Sequence, residues 1–258
     1  MVGAGSAAGL VSLIVDKTQR EGKFIIVSLL GFSLMAVMVS FYFFRHYFIV
    51  LLPVASLLVA VAVQGAARAA GWKVACAAFA LACAGFIFVN RATWFEMTPD
   101  AVCRSLYPGE PFTEAAEIGR YIREHSAPGD TMEVLGSEPE IYFYAHRHSA
   151  SGYLYMYDLM KLSPYAAAMQ KELCHDIEAA RPLYLVMVHA PTSWARTINS
   201  DPALFGWSNT YARQNYDLAG EIVFSGADRA DYFWGPEAAA RKPDAPVDVS
   251  IHRRKPGR

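Results

Sequence analysis

Acidic side chains are almost missing from the first ninety residues of this 258-residue chain. Only Asp16 and Glu21 occur there, beside six lysines and arginines, whereas residues 91–258 hold 17 basic and 22 acidic residues. A helical region of that length in water would carry charge on its outward faces, so residues 1–90 do not read as an ordinary soluble bundle. A surplus of either charge is missing too: the formal net charge is −1, which gives no reason to expect a nucleic-acid partner. There is no GxSxG element, phosphate-binding loop or dinucleotide fingerprint, and Gly3-Ala4-Gly5-Ser6 lies in an apolar stretch with no strand before it. Neither CxxC nor HExxH occurs, so His146-Arg147-His148 and Cys174-His175 make no zinc signature. Two histidines flanking an arginine read instead as a solvated loop. No metal and no cofactor is expected.

Cysteine is scarce, with four in the chain. Cys76 and Cys83 are seven residues apart, on one face of a helix, and read as small packing residues. Cys103 and Cys174 fall in the charged part of the chain. A bond between them would close a loop of about 70 residues, worth ~4 kcal/mol in the chain-entropy model. Two unpaired thiols are the equal alternative, because spacing does not bring them together.

What the chain has in abundance is uncharged apolar sequence. Residues 24–44 carry no acid or base before Arg45, residues 47–64 carry none, and residues 72–89 carry only Lys73 at the edge. Crossing a hydrocarbon core takes about 20 apolar residues, so three spans are predicted. Pro53 falls inside the second, where neighbouring groups can satisfy the freed carbonyl. Basic residues concentrate in residues 16–23 (Lys17, Arg20, Lys23) and 65–73 (Arg68, Lys73), against one at the Arg45-His46 turn. The positive-inside rule puts the two richer loops in the cytoplasm, and the domain after Asn90 on the opposite face. For a bacterial chain that means an inner-membrane protein whose C-terminal domain is periplasmic or extracellular. Residues 1–15 are apolar, short for a span and without a basic leader. They read either as an interfacial helix or as the stump of an earlier span.

After Arg91 the pattern becomes α/β. Thr113 is a candidate N-cap, with Glu114 and Glu117 in the first turn and Ile118, Tyr121 and Ile122 as one stripe. Ala127-Pro128-Gly129-Asp130 is a stop and turn. Residues 131–135 read as a strand leading into Gly136-Ser137-Glu138-Pro139. Ser163-Pro164 starts a helix with Tyr165, Met169, Leu173, Ile177 and Ala180 inward, ended by Pro182. Residues 183–188 form a continuous apolar strand, the mark of a strand covered on both faces. Residues 201–215 look helical, and 218–224 and 232–234 read as edge strands. The fold class is therefore membrane α-helical with three spans, plus a small extracytoplasmic α/β domain with a partly parallel sheet. The segments are 1–23 (apolar segment and cytoplasmic loop), 24–90 (spans), 91–235 (α/β domain) and 236–258. The last, rich in Pro, Ala, Lys and Arg, reads as a disordered tail.

Two groups of residues stand out for binding. Tyr142, Phe143, Tyr144, Tyr153, Tyr155 and Tyr157 flank the polar patch at 146–151. Tyrosines of this kind line a sugar site, rest at a membrane interface or wall a small core, and Tyr142, Tyr144 and Tyr155 are the glycan-binding candidates. Arg45, His46 and Tyr47 form a polar turn between two apolar runs. They suit either a lipid-linked phosphate or a plain interfacial anchor.

The run Phe43-Phe44-Arg45-His46-Tyr47-Phe48-Ile49-Val50-Leu51-Leu52-Pro53 resembles a late membrane segment of polytopic glycosyltransferases of the C-type superfamily, relatives of protein O-mannosyltransferases and of the lipid A aminoarabinose transferase. Pro111-Phe112-Thr113-Glu114, Tyr121-Ile122, Gly136-Ser137-Glu138-Pro139-Glu140-Ile141-Tyr142-Phe143-Tyr144 and Arg181-Pro182 are similar to the extracytoplasmic C-terminal domain of bacterial members. The resemblance covers most of residues 24–235. It implies transfer of a sugar from a polyprenyl-phosphate donor on the outer face, with Arg45, His46 and Tyr47 near the lipid phosphate. The family's catalytic acids lie in the first outer loop, which nothing here matches, so no catalytic residue is assigned. The expectation is the C-terminal part of such an enzyme, inactive alone, with the bilayer, a polyprenyl-linked sugar and a missing N-terminal membrane half as partners. The alternative is a non-catalytic membrane-anchored module that binds a glycan or a protein. A transporter subunit is disfavoured by three spans without an intramembrane charge.

Overall fold

The computed structural model describes residues 2–15, 20–39, 41, 43, 45–226, 229–241 and 246–257. They form two compact units, Met1–Glu96 and Met97–Arg258.

The first unit is helical. Helix α1 (Val2–Val15) packs on α3 (Leu52–Ala70), and α2 (Arg20–Met38) and α4 (Trp72–Val89) complete it. The α1–α3 contact is close because Gly9 has no side chain: a Cβ there would lie 1.9 Å from the Leu58 carbonyl oxygen. Leu13, Val54 and Leu58 are the buried centre of this contact. A 3₁₀ turn, Arg45–Leu51, runs straight into α3, and Pro53 sits where the α-helix begins, so its missing N–H breaks no hydrogen bond. Two helices, His46–Ala70 and Trp72–Val89, are long and apolar enough to cross a bilayer. The first predicted run differs. Its apolar helix is only Gly22–Met38, shorter than about 20 residues. The predicted basic loop at 65–73 is also not a loop. Helix α3 continues to Ala70, and Gly71, at φ +88°, is the single break before α4. Residues 16–19, half of the other basic loop, lie outside the described residues.

The second unit opens with a helix α5 (Pro99–Leu106), capped by Thr98 Oγ1 accepting from the Ala101 N–H. It continues through α6 (Glu114–Glu124), β1 (Thr131–Leu135), α7 (Glu140–Ala145), β2 (His148–Ser149), α8 (Tyr157–Met160), α9 (Ala166–Ala180), β3 (Tyr184–Val188), α10 (Ala203–Asn215), β4 (Tyr216–Phe224), β5 (Ala230–Trp234), α11 (Pro236–Ala240) and β6 (Val249–Arg254). The six strands form one mixed sheet in the order β2-β1-β3-β6-β4-β5. Strands β2, β1 and β3 are parallel, and β6, β4 and β5 continue antiparallel. Helices cover both faces. Ile118, Ile122 and Ile141 from α6 and α7 meet Val134, Val186 and Ile251 on one side. Leu173, Ile177, Leu204 and Ala212 from α9 and α10 meet Leu135, Leu185 and Met187 on the other. Each fully buried aliphatic chain contributes roughly 1.5–3 kcal/mol, which makes this two-sided core the main stabilising term.

Several expectations are corrected. The segment after Pro236 is not a disordered tail: it contains α11 and, in β6, a strand at the centre of the sheet between β3 and β4. The alternation of Val249 and Ile251 with Ser250 and His252 is strand-like, but Pro, Lys and Arg around it dominate the composition. As a result β4, expected at an edge, is an interior strand, and β5 lies at the edge as expected. Thr113 does not cap α6: its backbone is already helical and its hydroxyl bonds the Glu114 carboxylate. Helix α9 buries Ala166, Gln170, Leu173 and Ile177, while Tyr165 is exposed. The face is turned because Gln170 bonds inward, its amide donating to the carbonyls of Leu159 and Asp201.

Candidate functional site

The C-terminal ends of parallel strands are where open α/β sheets hold ligands, at the point where successive connections leave on opposite faces. Here that point lies between β1, which leads to α7 on one face, and β3, which leads to α10 on the other. The crevice itself is filled. Ser193 donates to Glu138 Oε2 at 2.9 Å and accepts the Ser137 N–H at 2.9 Å, while Ser137 Oγ accepts the Met156 N–H at 3.1 Å. Both Ser193 and Glu138 are buried. Gly136 makes the clamp possible, since a Cβ there would sit 2.2 Å from the Glu138 carboxylate. Burial pushes Glu138 up to about 8, against the Ser193 hydroxyl, so it is mostly protonated at neutral pH.

The open site lies beside this plug. A cavity of about 570 Å³ is bounded by the loop after β3 and by α10, with His189, Trp194, Arg196, Phe205 and Asn209 among its walls. That volume is within the usual range for small ligands. Local sequence builds the loop. Pro191 opens a 3₁₀ turn (Pro191–Trp194), the Trp194 indole N–H anchors it on the Val188 carbonyl at 2.8 Å, and Ala195 in left-handed geometry at φ +46° ends it. Ser200 then ties the far end down, accepting the Thr197 N–H and donating to the Met160 carbonyl.

Three polar side chains define its chemistry. His189 Nε2 lies 3.0 Å from Ser250 Oγ, which lies 3.1 Å from His252 Nε2. Leu185 and Met187 pair with His252 and Ser250, so the three groups share the sheet face toward α10. A serine hydroxyl has one proton, so it donates to one imidazole while accepting from the other. Burial lowers the pKa of both histidines, that of His252 to about 4, which leaves His189 uncharged at neutral pH. The Arg196 guanidinium lies over the Phe205 ring, 4.8 Å from its centroid, and forms no ion pair among the described residues. Asn209 donates to the Phe205 carbonyl at 2.9 Å through Nδ2, and its Oδ1 makes no hydrogen bond among the described residues. No Asp or Glu lines the cavity. It can bind through a cation, an amide and an imidazole, but offers no carboxylate as a general base.

The residues singled out from sequence lie elsewhere. Tyr142 belongs to the core: its buried hydroxyl accepts the Val134 N–H at 2.8 Å and lies 3.4 Å from Ser149 Oγ. Tyr144 and Tyr155 are both exposed but separate. Tyr144 packs beside Gly119 of α6, and Tyr155 meets Tyr157 edge-on. The three tyrosines therefore form no common site. His46, exposed, lies edge-on to Tyr47 with ring centroids 4.6 Å apart in the 3₁₀ turn that Arg45 begins, and the Arg45 side chain lies outside the described residues. Cys103 and Cys174 are both free. Cys103 lies among Asp100, Glu114 and Glu140, whereas Cys174 packs with the cluster on the opposite sheet face. Cys76, read as a packing residue, is exposed. In the 146–148 stretch His146 and His148 are exposed, but Arg147 is buried and donates to four carbonyls and the Ser126 hydroxyl, capping the chain after α6 and α7. His189, Arg196 and Asn209 carried no motif. Position is the signal that finds the first two, in the polar loop after a wholly apolar strand, whereas Asn209 lies within α10 and has no such signal.

No family model, curated protein or solved structure matches the chain.

Proposed function

We propose that the chain is the C-terminal part of a membrane glycosyltransferase that works on polyprenyl-phosphate-linked sugars, and that its α/β unit holds a sugar in the cavity beside β3. The observation that carries this reading is that cavity: it has ligand size, an amide, a cation and a neutral imidazole on its walls, and aromatic side chains beside them. Two further observations support it. The helices His46–Ala70 and Trp72–Val89 are only 11% and 6% buried over their most apolar stretches, a surface that suits lipid and not water. The Arg-His-Tyr turn and the Gly136–Tyr144 stretch resemble the glycosyltransferase family in sequence. In this reading the α/β unit lies outside the cytoplasm, and the catalytic acid comes from another part of the enzyme.

The absence of Asp and Glu from the cavity walls favours one second reading, a non-catalytic membrane-anchored module that binds a glycan. One set of experiments separates the two. The full chain in lipid nanodiscs should bind monosaccharides saturably, detected by saturation-transfer NMR, and should release no sugar from a polyprenyl-phosphate donor. Transfer should appear only when the membrane half of a C-type glycosyltransferase is supplied. Failure to restore transfer favours the binding module. Transfer by the chain alone overturns the assignment of catalysis to another part, and no sugar binding at all overturns both readings.

A further inference from the structure

The cavity beside β3 carries an asymmetry of charge that a neutral sugar would not use. Its walls contain no carboxylate, His189 is uncharged, and Arg196 supplies the one formal charge among the lining residues. No salt bridge or hydrogen bond engages its guanidinium among the described residues, and its central carbon lies over the Phe205 ring, 4.8 Å from the centroid. That contact matters for recognition. A guanidinium is planar, and all five N–H donors point outward in its plane. Stacking one face on an aromatic ring restrains the plane without consuming a donor. The edge is then available for a bidentate contact with two oxygens of one anion. Asn209 Oδ1 and the His189 ring offer contacts of a different kind, suited to the hydroxyls of the ligand body.

Resting on the sugar-binding reading above, we propose that this cavity selects an acidic sugar, its carboxylate or phosphoryl group held by the edge of the Arg196 guanidinium. Arg196 is exposed, so substituting it leaves the core of the unit untouched. Phe205 is half-buried and packs against the core and Trp194, so the milder Phe205→Leu is used there: it keeps an apolar side chain and removes the aromatic face.

The test is titration of the full chain in nanodiscs with glucuronate, glucose 6-phosphate, glucose and inorganic phosphate, read by saturation-transfer NMR and calorimetry. Glucuronate and glucose 6-phosphate should each bind at least tenfold tighter than glucose. R196A should bring the acidic sugars down to about the level of glucose, a loss at least tenfold greater for them than for glucose itself. R196K keeps the charge but not the planar fork and should recover only part of the loss, and F205L should fall between wild type and R196A. An unchanged far-ultraviolet spectrum and melting temperature in R196A would confirm that folding is intact. Equal binding of glucose and glucuronate, unaffected by R196A, would overturn selection by charge and leave the sugar reading standing. Arg196-dependent binding of phosphate with no binding of any sugar would overturn the acidic-sugar assignment and the sugar reading together.

Discussion

The two units use apolar residues in opposite ways. In the α/β unit Ile118, Ile122, Val134, Leu185 and Ile251 are all fully buried, and strand β3 is buried at every position. In the helical unit Phe24, Leu81 and Val89 are each about three-quarters exposed, and Ala75 alone is buried in α4. One unit thus has an inside that water does not reach, whereas the other presents its apolar surface outward. The same residue types therefore carry different information: in the first they define packing, in the second they define the solvent.

Substitutions of one kind at both places should separate these roles most sharply. Ile251→Asp puts an unpaired carboxylate at the centre of the sheet, which costs about 3–5 kcal/mol. It should abolish cooperative unfolding of the α/β unit by circular dichroism and empty the cavity beside β3 of any ligand. A melting curve that survives would deny β6 its central place. Leu81→Asp, at an exposed position in α4, should leave that unfolding transition unchanged but move the protein out of the membrane fraction, since an acid near the middle of a spanning helix costs about 3 kcal/mol. Unaltered partitioning would mean that α4 does not meet lipid.

A subtler contrast is in the response to pH, which only the α/β unit should show. Glu138 in the fold titrates at about 8 and Glu133 at about 7, both raised above 4.5 by burial. A raised carboxyl makes its full contribution below its unfolded value and loses it as pH climbs through the folded one. Stability, read as the melting temperature, should therefore fall with pH up to 8, Glu138 contributing on the order of 1–3 kcal/mol, and the fall should be plainest above pH 6.5, because below it the lowered His189 and His252 act in the opposite sense. Glu138→Gln should flatten the upper half of that fall, leaving the Glu133 share up to about pH 7. A wild-type profile that rises between pH 6.5 and 8, where His189 and His252 are neutral in both states, would contradict the buried clamp. The smallest effect concerns the thiols. Reductant should leave the melting temperature unchanged, and mass spectrometry after alkylation of the unfolded chain should show Cys103 and Cys174 both modified without prior reduction. Their alkylation in the folded state should be slow, because burial pushes Cys174 up to about 11 and Cys103 above its ordinary value.

Much of the architecture was legible in local patterns, and the exceptions share a cause. Residues 183–188 declare a strand because a continuous apolar run between turn residues can do little else, and the shorter 131–135 is marked by the turns on either side of it; β3 and β1 occupy those positions. The two long apolar helices were equally plain. Strand β6 was obscured by the Pro, Lys and Arg around it, although its alternation is regular. Tyr142 looked like a ligand-facing aromatic until its hydroxyl was seen to satisfy the buried Val134 N–H. Arg147 reads as solvated because two histidines flank it; its partners are backbone carbonyls and the Ser126 hydroxyl, which no sequence motif records.

The candidate site shows the division most clearly. Helix and strand periods depend on neighbours a few residues away, so composition and spacing were enough to mark the apolar helices, the α/β pattern and the buried strand β3. The cavity depends on pairings across the chain. His189 meets Ser250 sixty-one residues later, and Arg196 reaches Phe205 on the next helix. The first contact exists because β6 inserts beside β3 and not at an edge. Strand order is chosen by the burial of whole faces at once, a quantity that belongs to the folded sheet and not to any segment of it.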